Sequence, residues 1–154
     1  MSKFLKQIRL LNSTGESRWQ ALLPVLLVEF NSETATIHRL ELGSQTLQLV
    51  AQVGLPAALL PVVQSIPVGK GIAGQTVVRG GPVTICNLQT DSSGVAKPGA
   101  RQTGVGGALS VPIRNAGAIV GTLGIGTKRE HEYTAEETAK LASVASLLGE
   151  AELV

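Results

Sequence analysis

Apolar positions recur at two different spacings along this chain: three to four residues apart towards its ends and every second residue through its middle. Phe4, Leu5, Ile8 and Leu11 share one face of a short amphipathic helix over Ser2 to Leu11. Asn12 to Ser17 is a break rich in turn formers. Leu22, Leu23, Leu26, Leu27 and Phe30 then predict a second helix from about Glu16 to Phe30, kinked or restarted at Pro24, which cannot donate a backbone hydrogen bond.

Period-two alternation follows. Ala35 to Leu42 and Leu47 to Val53 read as a strand pair turning around Gly43-Ser44, with Leu47, Leu49, Ala51 and Val53 together on one half-buried face. Ala57 to Gln64 and Ile72 to Val78 are short helix candidates, and Pro82 to Leu88 is a strand with Val83 and Ile85 on one face and Cys86 on the other. Pattern is lost from Gln89 to Gly107, and so long a connection in a small domain is more often functional than passive. Ala108 to Arg114 and Ala118 to Thr127 are strands turning at Asn115-Ala116-Gly117. Leu109, Val111 and Ile113 share one face, and Ile119, Leu123 and Ile125 share another. Thr134 with Glu137 forms a capping box, and Leu141, Val144, Ala145 and Leu148 line the helix it opens. The order of elements predicts an α+β domain with a central antiparallel sheet and helices packed on it.

Composition narrows the function classes. At 154 residues the chain is sized for one domain, and a 44% hydrophobic content excludes a disordered segment. The net charge of +2 is scattered, and Phe4, Trp19, Phe30 and Tyr133 form no stacking platform, so no nucleic-acid partner is expected. The apolar run Ala21 to Val28 is short, holds Pro24 and is flanked by Arg18 and Glu29. It is neither signal peptide nor membrane span, which leaves a cytoplasmic address as the expectation. One cysteine, Cys86, and two distant histidines, His38 and His131, make neither a disulfide nor a metal site.

Gly69, Gly71 and Gly74 spell G-x-G-x-x-G, the form of a dinucleotide fingerprint. That motif needs a long crossover helix after it and a buried strand before it. Only Gln75 to Gly81 precede the next strand here, and Pro67 cannot donate to a central ladder. The glycines are therefore read as a tight structural turn into a short helix, whose free N–H groups could also meet an anion.

The run Ile66-Pro-Val-Gly-Lys-Gly-Ile-Ala-Gly-Gln-Thr-Val-Val-Arg-Gly-Gly-Pro-Val-Thr-Ile-Cys-Asn-Leu88 resembles the central signature of GAF domains: an apolar-Pro-apolar-Gly-x-Gly turn, a short helix, then G-x-P-V-x-I. The resemblance continues in Leu109-Ser-Val-Pro-Ile113, in Val120-Gly-Thr-Leu-Gly-Ile125 and in Tyr133-Thr-Ala-Glu-Glu137. It implies one domain over 1–154, with a core of about 17–148 and an N-terminal helical extension over 1–16. It further implies a PAS-like antiparallel sheet of about five to six strands. Terminal helices would pack on one face, and short helices and loops on the other.

The same resemblance implies a small-molecule sensor of signal transduction, with its pocket between the sheet and the irregular segment. The expected ligand contacts are Asp91, Ser92, Ser93, Arg101 and Thr103 from Gln89 to Gly107, with Ser110 and Thr122 from the strands. Arg101 is the anion contact of choice, because a guanidinium forks onto carboxylate or phosphate. Bilin is not expected, since Cys86 is followed by Asn87 rather than histidine. Haem is not expected either, because His38 and His131 read as surface or satisfied histidines. A relative, free methionine sulfoxide reductase, uses several cysteines, and with one cysteine and no legible nucleophile–base pair this chain is expected not to be an enzyme. Relatives that bind cyclic nucleotides carry N-K…F…D-E. Thr127-Lys128…Tyr133…Glu136-Glu137 keeps only part of it, and Lys128 is expected to pair with an acid of the last helix. The alternative to a receptor is a ligand-free dimerisation module. The terminal helices are expected to form a homodimer in either case, with a sensor kinase or transcription regulator as output.

Overall fold

Alternating β-branched and polar residues build six strands: β1 (Thr34–Glu41), β2 (Thr46–Val53), β3 (Ser65–Pro67), β4 (Val83–Ile85), β5 (Ala108–Asn115) and β6 (Ala118–Gly126). A computed structural model describes residues 3–12, 18–85 and 106–150. Its strands form one antiparallel sheet in the order β3-β2-β1-β6-β5-β4. β5 and β6 are joined by the two residues Ala116 and Gly117, both at positive φ (52° and 84°). Positive φ at both central positions is the requirement of a hairpin turn that matches strand twist.

Helices α1 (Lys3–Asn12), α2 (Arg18–Glu29) and α5 (Ala135–Glu150) cover one face. Their apolar stripes meet Ala35, Ile37, Ala51, Leu109, Val111, Ile113, Leu123 and Ile125 in a single buried cluster. α2 runs unbroken through Pro24, which lies on its exposed side. Val111 pairs with Leu123 and Leu109 with Ile125, so the apolar sets of β5 and β6 lie on the same side of the sheet rather than on separate faces. The two antiparallel partners share one pleat.

β2 departs from the expected single alternation. Ile37 pairs with Ala51, but the next residue, His38, pairs with Leu49, leaving Val50 as an extra residue. A bulge reverses which side chains point where. Ala51 and Val53 therefore face the helices, while Leu47 and Leu49 turn to the second face. Pro67 also finds a place in a strand, but β3 pairs only with β2 and forms the sheet edge, where a missing N–H is tolerated. The predicted helix over Ala57 to Gln64 divides into a 3-10 turn (Ala57–Leu59) and α3 (Leu60–Val63), with Pro61 in its first turn. α4 (Gly71–Arg79) packs over β4, β5 and β6 on the second face.

The glycine cluster is a structural bend. Gly69 and Gly71 adopt φ of +89° and +63°, a region open to glycine at little cost. A Cβ on Gly74 would stand 2.7 Å from the Pro67 carbonyl oxygen. The N–H groups of Gly69, Lys70 and Gly74 are bonded to Gly74, Pro67 and Lys70 carbonyls, which commits them within the turn.

Candidate functional site

The two faces of the central strands differ in side-chain size. Under α1, α2 and α5 the paired positions hold Ile37, Leu123 and Val111, then Ala35, Ile125 and Leu109. On the second face one row reads Thr36, Gly124, Ser110 and Val83, and the next reads His38, Thr122 and Pro112. The second face is thus floored by small and hydroxyl-bearing residues. Its paired central positions carry no charged side chain among the described residues. Thr36 lies close over the bare Cα of Gly124, where an added Cβ would stand 3.1 Å from Thr36 Oγ1.

Two polar groups on this floor are buried without a partner. His38 is 2% exposed, and its Nε2 lies 2.9 Å from the carbonyl oxygen of Val63 in α3. A carbonyl only accepts, so Nε2 carries the proton and Nδ1 is left as a bare acceptor. Among the described residues no group meets Nδ1. Burial pushes the His38 ring below the ordinary histidine range, against the opposing pull of the Val63 carbonyl, so the imidazole is neutral near neutral pH. Ser110, at 3% exposure, also has no partner for its Oγ among the described residues. Unpaired buried polar groups cost about 1–3 kcal/mol each, which is why native proteins leave few of them without a reason.

Of the expected ligand contacts, Ser110 and Thr122 lie on this floor, with Thr122 directly opposite His38. Asp91, Ser92, Ser93, Arg101 and Thr103 fall outside the described residues, as does Cys86. The expectation of a surface or satisfied ring fails at His38, because strand alternation places it inward and only one of its nitrogens reaches a partner. His131 is partly exposed, and its Nε2 lies 3.1 Å from Glu137 Oε1. Among the described residues, no three His, Cys, Asp or Glu side chains gather as a metal site would require. No helix there is long and apolar enough to cross a membrane.

The region after β6 corrects a second expectation. Lys128 does not pair with an acid of α5; it is exposed, and its backbone N–H donates to Glu33 Oε1 at 3.0 Å. Glu137 is engaged instead by the Thr134 N–H at 2.9 Å and by His131, closing the capping box. Arg129 reaches the Asn31 carbonyl at 2.8 Å and lies 3.9 Å from Glu33. These contacts tie the β6–α5 connection to the start of β1.

A GAF domain family model matches residues 19–151. The chain belongs to the GAF domain family. Among solved structures, the GAF domain of an Acinetobacter phosphoenolpyruvate-protein phosphotransferase superposes with a TM-score of 0.81 at 19% identity, covering 98% of this chain and 93% of that one. The free methionine-R-sulfoxide reductase of Neisseria meningitidis, in complex with its substrate, gives 0.82 at 19% identity over 97% and 86%. The type II reductase of Thermoplasma acidophilum gives 0.70 at 20% identity over 97% and 94%. No curated protein matches the chain.

These neighbours overturn the expectation that the chain is not an enzyme. Reductases from several organisms share this GAF fold. A fold common to enzymes and binding modules gives no ground for excluding catalysis.

Proposed function

We propose that this GAF domain is a regulatory receptor that binds a small molecule on the second face of its sheet, over His38, Thr122 and Ser110. The observation that carries the reading is the pair of buried, unpartnered polar atoms, His38 Nδ1 and Ser110 Oγ, on one floor of small side chains. Ligand sites set a few convergent polar groups among apolar ones, and His38, Thr122 and Ser110 are such groups on this floor. Occupancy would satisfy both atoms and favour one packing of α4 against the sheet, which is the differential contact that a signal requires. Relay through a homodimer of the terminal helices to a cytoplasmic kinase or transcription regulator belongs to the same proposal.

The test is a thermal-shift screen against amino acids, nucleotides and small anions. Free methionine-R-sulfoxide is included because it is the substrate of structurally similar reductases. At least one class should raise the melting temperature saturably, and Ser110→Ala should weaken that response. Absence of any stabilisation, with the second face unperturbed in NMR spectra, removes the receptor reading.

A further inference from the structure

The tautomer of His38 specifies what its ligand must offer. Nε2–H is held by the Val63 carbonyl, which no rotation of a hydroxyl can reverse, so Nδ1 presents only a lone pair. A partner at Nδ1 must therefore donate. Among the described residues the central floor of the second face carries no carboxylate to offset the lost hydration of an ammonium group, so this part of the site favours an uncharged donor. An anion fares worse, since it would bring another acceptor to an acceptor.

The second orphan sets the size. β6 separates His38 from Ser110, and the two residues lie one pleat row apart. With strands about 4.8 Å apart and about 6.8 Å per two residues, their Cα atoms are roughly 12 Å apart. A monatomic ion cannot serve both side chains across that span. Serving both would take a molecule of several heavy atoms with polar groups at two ends.

We propose that the site selects an uncharged ligand that donates an N–H or O–H, of the lactam, amide or hydroxyl kind, to His38 Nδ1, with a second polar group on Ser110 Oγ. This rests on the receptor reading and narrows it at His38; Arg101, the expected anion contact, lies outside the described residues. Ser110 is the more permissive anchor, since a hydroxyl can donate or accept. His38 is the one that discriminates.

The experiment uses a matched pair of probes on the full chain, 2-pyrrolidinone and N-methyl-2-pyrrolidinone, which differ in the single N–H. Inorganic phosphate serves as the anionic comparison. Nitrogen-15 spectra of the histidine rings report Nδ1 directly, and backbone spectra report the rest of the second face. 2-Pyrrolidinone should shift the His38 Nδ1 resonance and bind at least tenfold more tightly than its methylated analogue. His38→Gln keeps a donor for Val63, removes Nδ1 and leaves its remaining acceptor, Oε1, at a different place on the side chain. This variant should stay folded by circular dichroism and lose the discrimination between the two lactams. Equal binding of the pair, discrimination that survives in His38→Gln, or tighter binding of phosphate overturns the inference while leaving a receptor standing. If no probe perturbs any second-face resonance, the receptor reading fails and the inference with it.

Discussion

His38 and Val63 are joined by a hydrogen bond from Nε2 to the carbonyl oxygen, 2.9 Å long, that spans the sheet-to-helix boundary, while burial holds the imidazole below the ordinary histidine range against the pull of that bond. Because the folded state lowers the affinity of this ring for a proton, stability is linked to pH. Above the unfolded value of 6.5 the ring is neutral in both states and costs nothing. Below it the unfolded chain takes up a proton that the folded chain refuses, so stability falls as pH drops towards the folded value. Its slope approaches about 1.4 kcal/mol per pH unit for one group. Urea unfolding of wild type and His38→Gln at pH 7.5 and 5.5 should show a smaller loss in the variant over that interval. An identical loss in both would place the linkage elsewhere.

The glycine motif makes a second prediction, in which two glycines of one motif respond differently. In an ordinary helix interior, Gly→Ala gains up to about 1 kcal/mol. At Gly74 the new methyl would meet the Pro67 carbonyl at 2.7 Å and the Gly69 nitrogen at 2.9 Å, both backbone atoms that cannot swing aside. Gly74→Ala should therefore destabilise by about 2 kcal/mol, the usual scale of overpacking. A methyl added at Gly71 would meet open space, but its φ is +63°, so Gly71→Ala should cost about 1 kcal/mol through backbone strain alone. Denaturant midpoints that leave Gly74→Ala as stable as wild type would contradict the close approach.

The capping box at the start of α5 has a measurable role. The Glu137 N–H donates to Thr134 Oγ1 at 3.0 Å, and the Thr134 N–H donates to Glu137 Oε1 at 2.9 Å. Thr134→Ala should cost about 1 kcal/mol. Partial burial works to raise the Glu137 carboxyl, but the Thr134 N–H and the His131 ring outweigh it and hold the carboxyl below its ordinary range. Its contribution is present above the unfolded value of 4.5 and is lost as pH falls through the lower folded value. Acid titration of Glu137→Gln should show less loss over that window than wild type.

Much of this arrangement was legible in the order of residues, and the exceptions have a common cause. Thr134 and Glu137 announce α5 because both partners of the cap lie within one turn. Alternation in β5 and β6 places Ser110 and Thr122 on one strand face each, and only the observed register joins those faces. β2 defeats the same reading, because the bulge at Val50 is set by how β1 and β2 meet and not by either strand alone. His38 escapes for a similar reason. A single histidine in a strand has no local partner to mark it, and the carbonyl that fixes its tautomer comes from 25 residues further along. Pairings across long separations decide both features, and a single sequence does not show them.

Gly149 provides a last case, in which helix propensity and tertiary packing point in opposite directions. It sits in the final turn of α5, where glycine is intrinsically the poorer choice by about 1 kcal/mol. Its Cα, however, rests against the backbone of β5, and a methyl there would collide with the Arg114 carbonyl oxygen. At Arg114 β5 is paired with Ile119 of β6, so the added methyl would press helix and paired strand apart. Lifting the end of α5 would loosen Leu147 and Leu148, which are buried in the helix-face core. Gly149→Ala should destabilise by about 2–3 kcal/mol, the cost of overpacking outweighing the propensity gain. Ala142→Gly, on the exposed side of the same helix, should lose only about 1 kcal/mol. Paired urea titrations read the contrast: if Gly149→Ala proved the more stable protein, α5 would not be seated on β5 at this contact.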